Sequence, residues 1–279
     1  TRQVAREALS NPSTVSILTY HPPIFGGLKR LTLANSIQQS LLECVAEGVD
    51  VTTIHTAADV AVGGTNDYMA TRLVDYATTT VAAQGQVPRG GQEEDVVVRP
   101  GQGRGVSALK ENSNPPTGHE GCGMGRIVDL SQLVRDGEGA PPLTLSRDQV
   151  VEAVKDTLGI EHFQAAWSPT GSDAISTIAI CAGSGSSVLK GVEADLYLTG
   201  EMGHHDILAA NSKGIHVFCC NHTATERPWL KFFAPRLERQ LNEAATAARA
   251  NGKDQDQDQG VVEYQVIVSE ADREPLQVV

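Results

Sequence analysis

The strongest constraint on this chain is an alternation of short β-branched runs with stretches of four-residue apolar periodicity. Thr14-Val15-Ser16-Ile17-Leu18-Thr19 predicts a strand, and Val51-Thr52-Thr53-Ile54 predicts another. Between them Leu33, Ile37, Leu41 and Val45 form one stripe of a helix expected near 33–47. Gly63-Gly64 breaks the chain before a helix near 66–77. Strand, helix, strand is the pattern of a parallel unit, so the expected fold class is α/β. Order resumes at 144, where Ser146 and Gln149 make a capping box, stapled by Leu145 and Val150, for a helix that stops at Gly159. Further strands are expected at 175–181, 196–198, 215–219 and 264–268. Helices are expected just after Ser187, over 204–212, and from Thr223 to about Ala250 with a break before Pro235.

Residues 84–125 differ in character. Gly, Pro, Gln, Glu and Arg dominate there, and periodicity is weak apart from Val96-Val97-Val98. The segment reads as a Gly/Pro-rich insertion, partly disordered. The expected organisation is therefore a first part over 1–83, the insertion over 84–125 and the remainder over 126–279, making one intertwined domain. Asp254 to Gln259 reads as a low-complexity loop. The chain opens at Thr1 in what reads as mid-helix, so its natural start is expected to be missing and a targeting segment could have gone with it.

The balance of 34 acidic against 22 basic residues, net −12, disfavours direct binding to nucleic acid. Apolar runs fall short of the roughly 18 residues that a membrane helix needs. Five cysteines lack any C-x-x-C spacing, and three of them end apolar runs where buried free thiols are common. A reducing compartment is expected, cytoplasmic with mitochondrial or nuclear alternatives.

Ligand chemistry in open α/β folds collects beyond the carboxyl ends of strands. Four predicted strands end in metal-type groups: Tyr20-His21-Pro22-Pro23, His55-Thr56-Ala57-Ala58-Asp59, Glu201-Met202-Gly203-His204-His205, and His222-Thr223-Ala224-Thr225-Glu226. A lone histidine after a strand is usually structural, and Glu226 alone could be a solvated acid in a first helical turn. Five of eight histidines gathered at one expected edge make a stronger case. Imidazole with carboxylate suits zinc, iron, manganese, nickel or cobalt. His222 and Glu226, like His55 and Asp59, are four apart and can face one point. With two carboxylates, one could bridge a pair of ions roughly 3.5–4 Å apart.

The run Tyr20-His21-Pro22-Pro23-Ile24-Phe25 with Leu28-Lys29-Arg30-Leu31-Thr32 resembles the opening motif of the Nif-three-like family (the Ngg-interacting-factor family, also called GTP cyclohydrolase I type 2 homologues or dinuclear metal centre proteins). His55 to Asp59 with Gly64-Thr65-Asn66-Asp67 is similar to its second motif, and Thr199 to His205 and His222 to Arg227 to its last two. The resemblance spans nearly the whole chain. It implies two α/β lobes around a central metal cleft, with ligands on His21, Asp59, His222 and Glu226 and one or two divalent ions per chain. Tyr20 departs from the pattern, standing where many bacterial members carry a first His. A phenol, ordinarily titrating near 10, ligates poorly, which weakens one of the two ions. His55, Glu201, His204 and His205 then become second-sphere or catalytic groups beside Tyr20. Gly183-Ser184-Gly185 resembles a family turn that could take phosphate, although a plain helix entry reads better. The resemblance also implies a homo-oligomer, a hexamer in the family. Three functions follow: a metal-dependent hydrolase of a nucleotide or phosphoester, a regulatory protein that binds a transcriptional coactivator partner, or a metal-handling protein.

Overall fold

A computed structural model describes residues 2–83, 105–133, 142–250 and 263–276. The elements run α1 (Arg2–Leu9), β1 (Ser16–Thr19), α2 (Ser36–Ala46), β2 (Asp50–Thr53), α3 (His55–Val60), α4 (Thr65–Ala83), β3 (Val106–Glu111), β4 (Gly123–Asp129), β5 (Leu145–Ser146), α5 (Arg147–Leu158), β6 (Gln164–Ala166), β7 (Ala174–Ile175), β8 (Thr177–Ser184), α6 (Ser186–Leu189), β9 (Leu196–Glu201), α7 (His204–Asn211), β10 (His216–Cys219), α8 (His222–Glu226) and α9 (Pro228–Ala250). The expected α/β class holds.

The main sheet has the order β3-β4-β8-β9-β10-β6. Its centre, β8-β9-β10, is parallel, and the outer pairs are antiparallel. Parallel strands are covered on both faces, which is why β8, β9 and β10 read as continuous apolar runs instead of alternating ones. Ile178, Ile180, Leu196, Leu198 and Phe218 pack with Met69 and Leu73 of α4 and Val150 and Val154 of α5. On the other face Ala179, Cys181, Tyr197 and Val217 pack with Leu189 of α6 and Ala210 of α7. Helix α5 starts on the expected capping box and ends on Gly159 at φ 66.

The first lobe is slighter. β1 and β2 pair in parallel, Ser16 with Asp50 through Thr19 with Thr53. They cover a small cluster of Ala5, Cys44 and Val49. Asn35 starts α2 by accepting from the amides of Ile37 and Gln38.

Three expectations need correction. Residues 106–111 and 123–129, inside or next to the supposed insertion, are strands of the main sheet; Val96 to Val98 lie outside the described residues. Glycine hid β4: a Cβ on Gly123 would sit 2.2 Å from the Lys110 carbonyl oxygen, so the close β3–β4 approach excludes the β-branched residues that mark strands. Helix α9 passes through Pro235 without breaking. Pro235 forfeits one backbone bond, but buried Trp229, stacked on Phe233 at 4.3 Å, pins the turns before it. The segment at 264–268 is not a strand. Its backbone bonds go to side chains of α9: Tyr264 exchanges two with Asn242, and the Val266 amide donates to Glu238 at 2.8 Å. Beyond it, Ser269, Glu270 and Ala271 all donate to the Glu7 carboxylate of α1, and Arg227 donates to Asp272 and the Ser269 carbonyl.

All five cysteines are free thiols. Among the described residues no helix is long and apolar enough to cross a membrane.

Candidate metal centre

The carboxyl ends of the β1-β2 pair and of the main sheet deliver the site. Leaving β1, the chain presents Tyr20 and His21. Leaving β2, it enters α3 at His55, with Asp59 one turn on. Leaving β10, it enters α8, where His222 and Glu226 are spaced i,i+4. His21, His222 and Glu226 converge, each offering one ligand atom within 4.8 Å of the others. His21 Nε2 lies 3.3 Å from His222 Nε2 and 3.7 Å from Glu226 Oε1, and His222 Nε2 lies 3.1 Å from Glu226 Oε1. The edges of a tetrahedron built on bonds of roughly 2.0–2.1 Å are about 3.3 Å, so these separations suit one small divalent ion with a side left open. The donor set is also right: two imidazoles and a carboxylate.

The other ring nitrogen of His222, Nδ1, faces Glu201 Oε2 at 3.2 Å, so a proton on Nδ1 leaves the Nε2 lone pair for the centre. Hydrogen bonding to Glu226, opposed by burial and reinforced by the charges of Glu226 and Glu201, raises His222 to about 9. Gly183 presses on the same group. It sits at φ +64, and a Cβ there would lie 2.7 Å from Glu226 Oε1 and 2.9 Å from His222 Nε2.

Asp59 stands apart from the three. It accepts from the Tyr20 hydroxyl, which also contacts Thr65 Oγ1 at 3.3 Å. Burial raises the Asp59 carboxyl, with the Tyr20 bond working against it. Burial, with help from Asp59, also raises Tyr20 above its ordinary range, the opposite of what an ionised phenolate ligand needs. His55 rounds out an aromatic wall, 5.4 Å from both the His21 and Phe25 rings. His204 and His205 are exposed at the start of α7 with rings 5.5 Å apart, and neither belongs to the converging group. In the Gly183-Ser184-Gly185 turn, the Gly183 amide donates to Thr225 and the Gly185 amide to the Glu201 carbonyl. Both are thus spent on the fold, which favours the helix-entry reading over phosphate binding.

Several positioning groups escaped sequence reasoning. Asn66 donates to the Asp59 carbonyl at 3.0 Å and accepts from the Ala182 amide at 2.8 Å, tying α3 to β8. Arg126, fully buried, pairs with Asp67 and donates to the carbonyls of Gly123 and Gly125 at 2.7 Å each. The indole of Trp229 donates to Gly63 at 3.0 Å. Asn66 and Asp67 stood in a recognised motif, but Arg126, alone in a glycine-rich stretch, carried no signal of its partner.

The fold recurs in a solved Bacillus cereus protein related to NIF3, at a TM-score of 0.63 and 17% identity, covering 100% of this chain and 87% of that one. Among curated proteins, the Protein NIF3 homolog of Schizosaccharomyces pombe is 36% identical over 277 residues, 99% of this chain and 81% of its own length. The NGG1-interacting factor 3 of Saccharomyces cerevisiae is 30% identical, covering 100% of this chain and 78% of its own length. The family model for Duf34/NIF3 (NGG1p interacting factor 3) matches residues 1–253, and this chain belongs to that family.

Proposed function

We propose that this chain binds a divalent metal ion through His21, His222 and Glu226 and uses it in hydrolysis of a phosphoester or nucleotide-like substrate. The observation that carries the reading is the convergence of three donor atoms at 3.1 to 3.7 Å, with His222 backed by Glu201. Three protein ligands with an open side are the arrangement of catalytic rather than structural zinc sites. An ion there supplies Lewis acidity; zinc, iron, manganese, nickel and cobalt all suit the donor set.

The remaining groups do the orienting. Glu201 fixes the His222 ring and is itself exposed, so it can also exchange a proton with a substrate oxygen at the mouth. Phe25, 76% exposed and edge-on to His55, offers a flat face for a base. We take one ion per chain as the expectation, because the Tyr20 hydroxyl engages Asp59 Oδ1, one of the two oxygens that a second ion would draw on.

The test is elemental analysis of protein purified without added metal, followed by hydrolysis of phosphoester and nucleotide panels. Wild type is expected to hold one ion per chain, and a His222→Ala, Glu226→Ala double variant none, with hydrolysis lost alongside. Equal activity in both proteins would sink the hydrolase reading.

The name of the Saccharomyces cerevisiae relative favours a second reading, in which this chain also engages a protein partner. Exposed Leu28, Leu31, Leu33 and Val45 of the first lobe suit either that or a homo-oligomer. Light scattering of the pure protein separates the two: a monomer leaves that face to a different protein.

A further inference from the structure

Among the described residues, two that are not glycine have positive φ, and both adjoin the metal centre: His55 at 26° and Asn221 at 68°. Asn221 is the more unusual. Its ψ is 149°, well outside the left-handed helical well that asparagine tolerates and in a region that essentially only glycine occupies. Its side chain makes no capping hydrogen bond to α8, so an ordinary helix start does not explain it.

The surroundings show what holds the strain in place. β10 stays paired with β9 up to Cys219 opposite Thr199, and the Cys220 amide still donates to the Thr199 carbonyl at 2.9 Å. Two residues later His222 must already be helical and turned toward His21. The whole change of direction falls on Asn221. Gly200 presses from β9, where a Cβ would lie 2.9 Å from both the Asn221 carbonyl oxygen and His222 Cα, so the turn cannot relax in that direction. Thr225 locks the far side, accepting from the Gly183 amide at 2.9 Å and donating to the His222 carbonyl at 2.8 Å.

We infer that Asn221 is a positioning residue: its backbone, held at φ 68° and ψ 149°, aims His222 and Glu226 at His21, and the site requires that conformation rather than the amide side chain. The inference rests on the metal reading above. It predicts that glycine at 221 keeps the centre and relieves the fold, whereas alanine, which cannot take the conformation, disturbs the centre.

The experiment compares full chains of wild type, Asn221→Gly and Asn221→Ala by cobalt(II) titration, read from visible absorption, and by thermal melting of the metal-free proteins. Asn221→Gly is expected to keep the wild-type cobalt spectrum and its affinity within about threefold. Its metal-free melting temperature should rise by about 2–4 °C, the relieved strain exceeding the extra unfolded-state entropy of glycine. Asn221→Ala is expected to alter the spectrum and lose at least about tenfold in affinity, the scale seen when a group supporting a metal ligand is removed. An alanine variant indistinguishable from wild type would overturn the inference. So would a glycine variant that loses as much as alanine, because the amide would then be what matters. Should Asn221→Ala not fold, the glycine variant decides alone: affinity within about threefold of wild type supports the inference, and a loss of about tenfold overturns it. If the wild type takes up no cobalt, the metal reading fails instead, and the strain is judged by whether glycine raises the melting temperature.

Discussion

Replacing Arg126 by methionine tests a fully buried ion pair. The guanidinium is fully buried, pairs with Asp67 at 1% exposure, and donates to the Gly123 and Gly125 carbonyls. Asp67 also accepts from the Gly63 amide at 2.8 Å. Methionine fills much of the volume but leaves a buried carboxylate without its cation. Breaking a buried pair from one side costs about 3–5 kcal/mol. At about 2–4 °C per kcal/mol for a chain of this size, a loss near 4 kcal/mol lowers the melting temperature by about 8–16 °C. Urea unfolding gives the free energy directly, and a double-mutant cycle isolates the pair. Asp67→Leu should also be costly alone, while the Arg126→Met, Asp67→Leu protein should recover most of the loss, since apolar replacement of a whole buried pair is often neutral. A single variant within about 1 kcal/mol of wild type, or a double variant as unstable as the sum of the singles, would refute the reasoning.

Two other outcomes are expected. Asp195 accepts four hydrogen bonds from Ser176 and Thr177; burial opposes ionisation, but those bonds outweigh it and hold the carboxyl below its ordinary value. A depressed carboxyl contributes stability above its unfolded pKa of about 3.9 that is lost as pH falls through the folded value; acid unfolding followed by circular dichroism should therefore show a shallower loss below pH 4 in Asp195→Asn, and unchanged steepness would refute the assignment. Gly183→Ala combines a φ of +64 with a Cβ inside van der Waals contact of Glu226 and His222, so metal affinity by isothermal titration should fall at least about tenfold; affinity equal to wild type would show that the centre lies elsewhere.

The legible parts of the sequence share one property: their signal is local. The β8, β9 and β10 runs, the Ser146 box and the i,i+4 pair of His222 and Glu226 each announce themselves within a few residues. What stayed hidden depends on partners far along the chain. β4 reads as loop because its glycines answer to Lys110 and Ile180, not to their neighbours. The segment at 264–268 has strand composition but meets α9 side chains instead of a sheet edge. Tyr20 was visible as a departure from the family motif, yet its bond to Asp59 needed the fold.

The carboxylate of Glu7 is closed over by Ser269, Glu270 and Ala271, more than 260 positions away. During synthesis, α1 emerges more than 260 positions before these partners. The polar seam that ties α1 down therefore closes late, after residues 269–271 have been made, and its long loop closure is a cost that local helix and strand contacts do not carry.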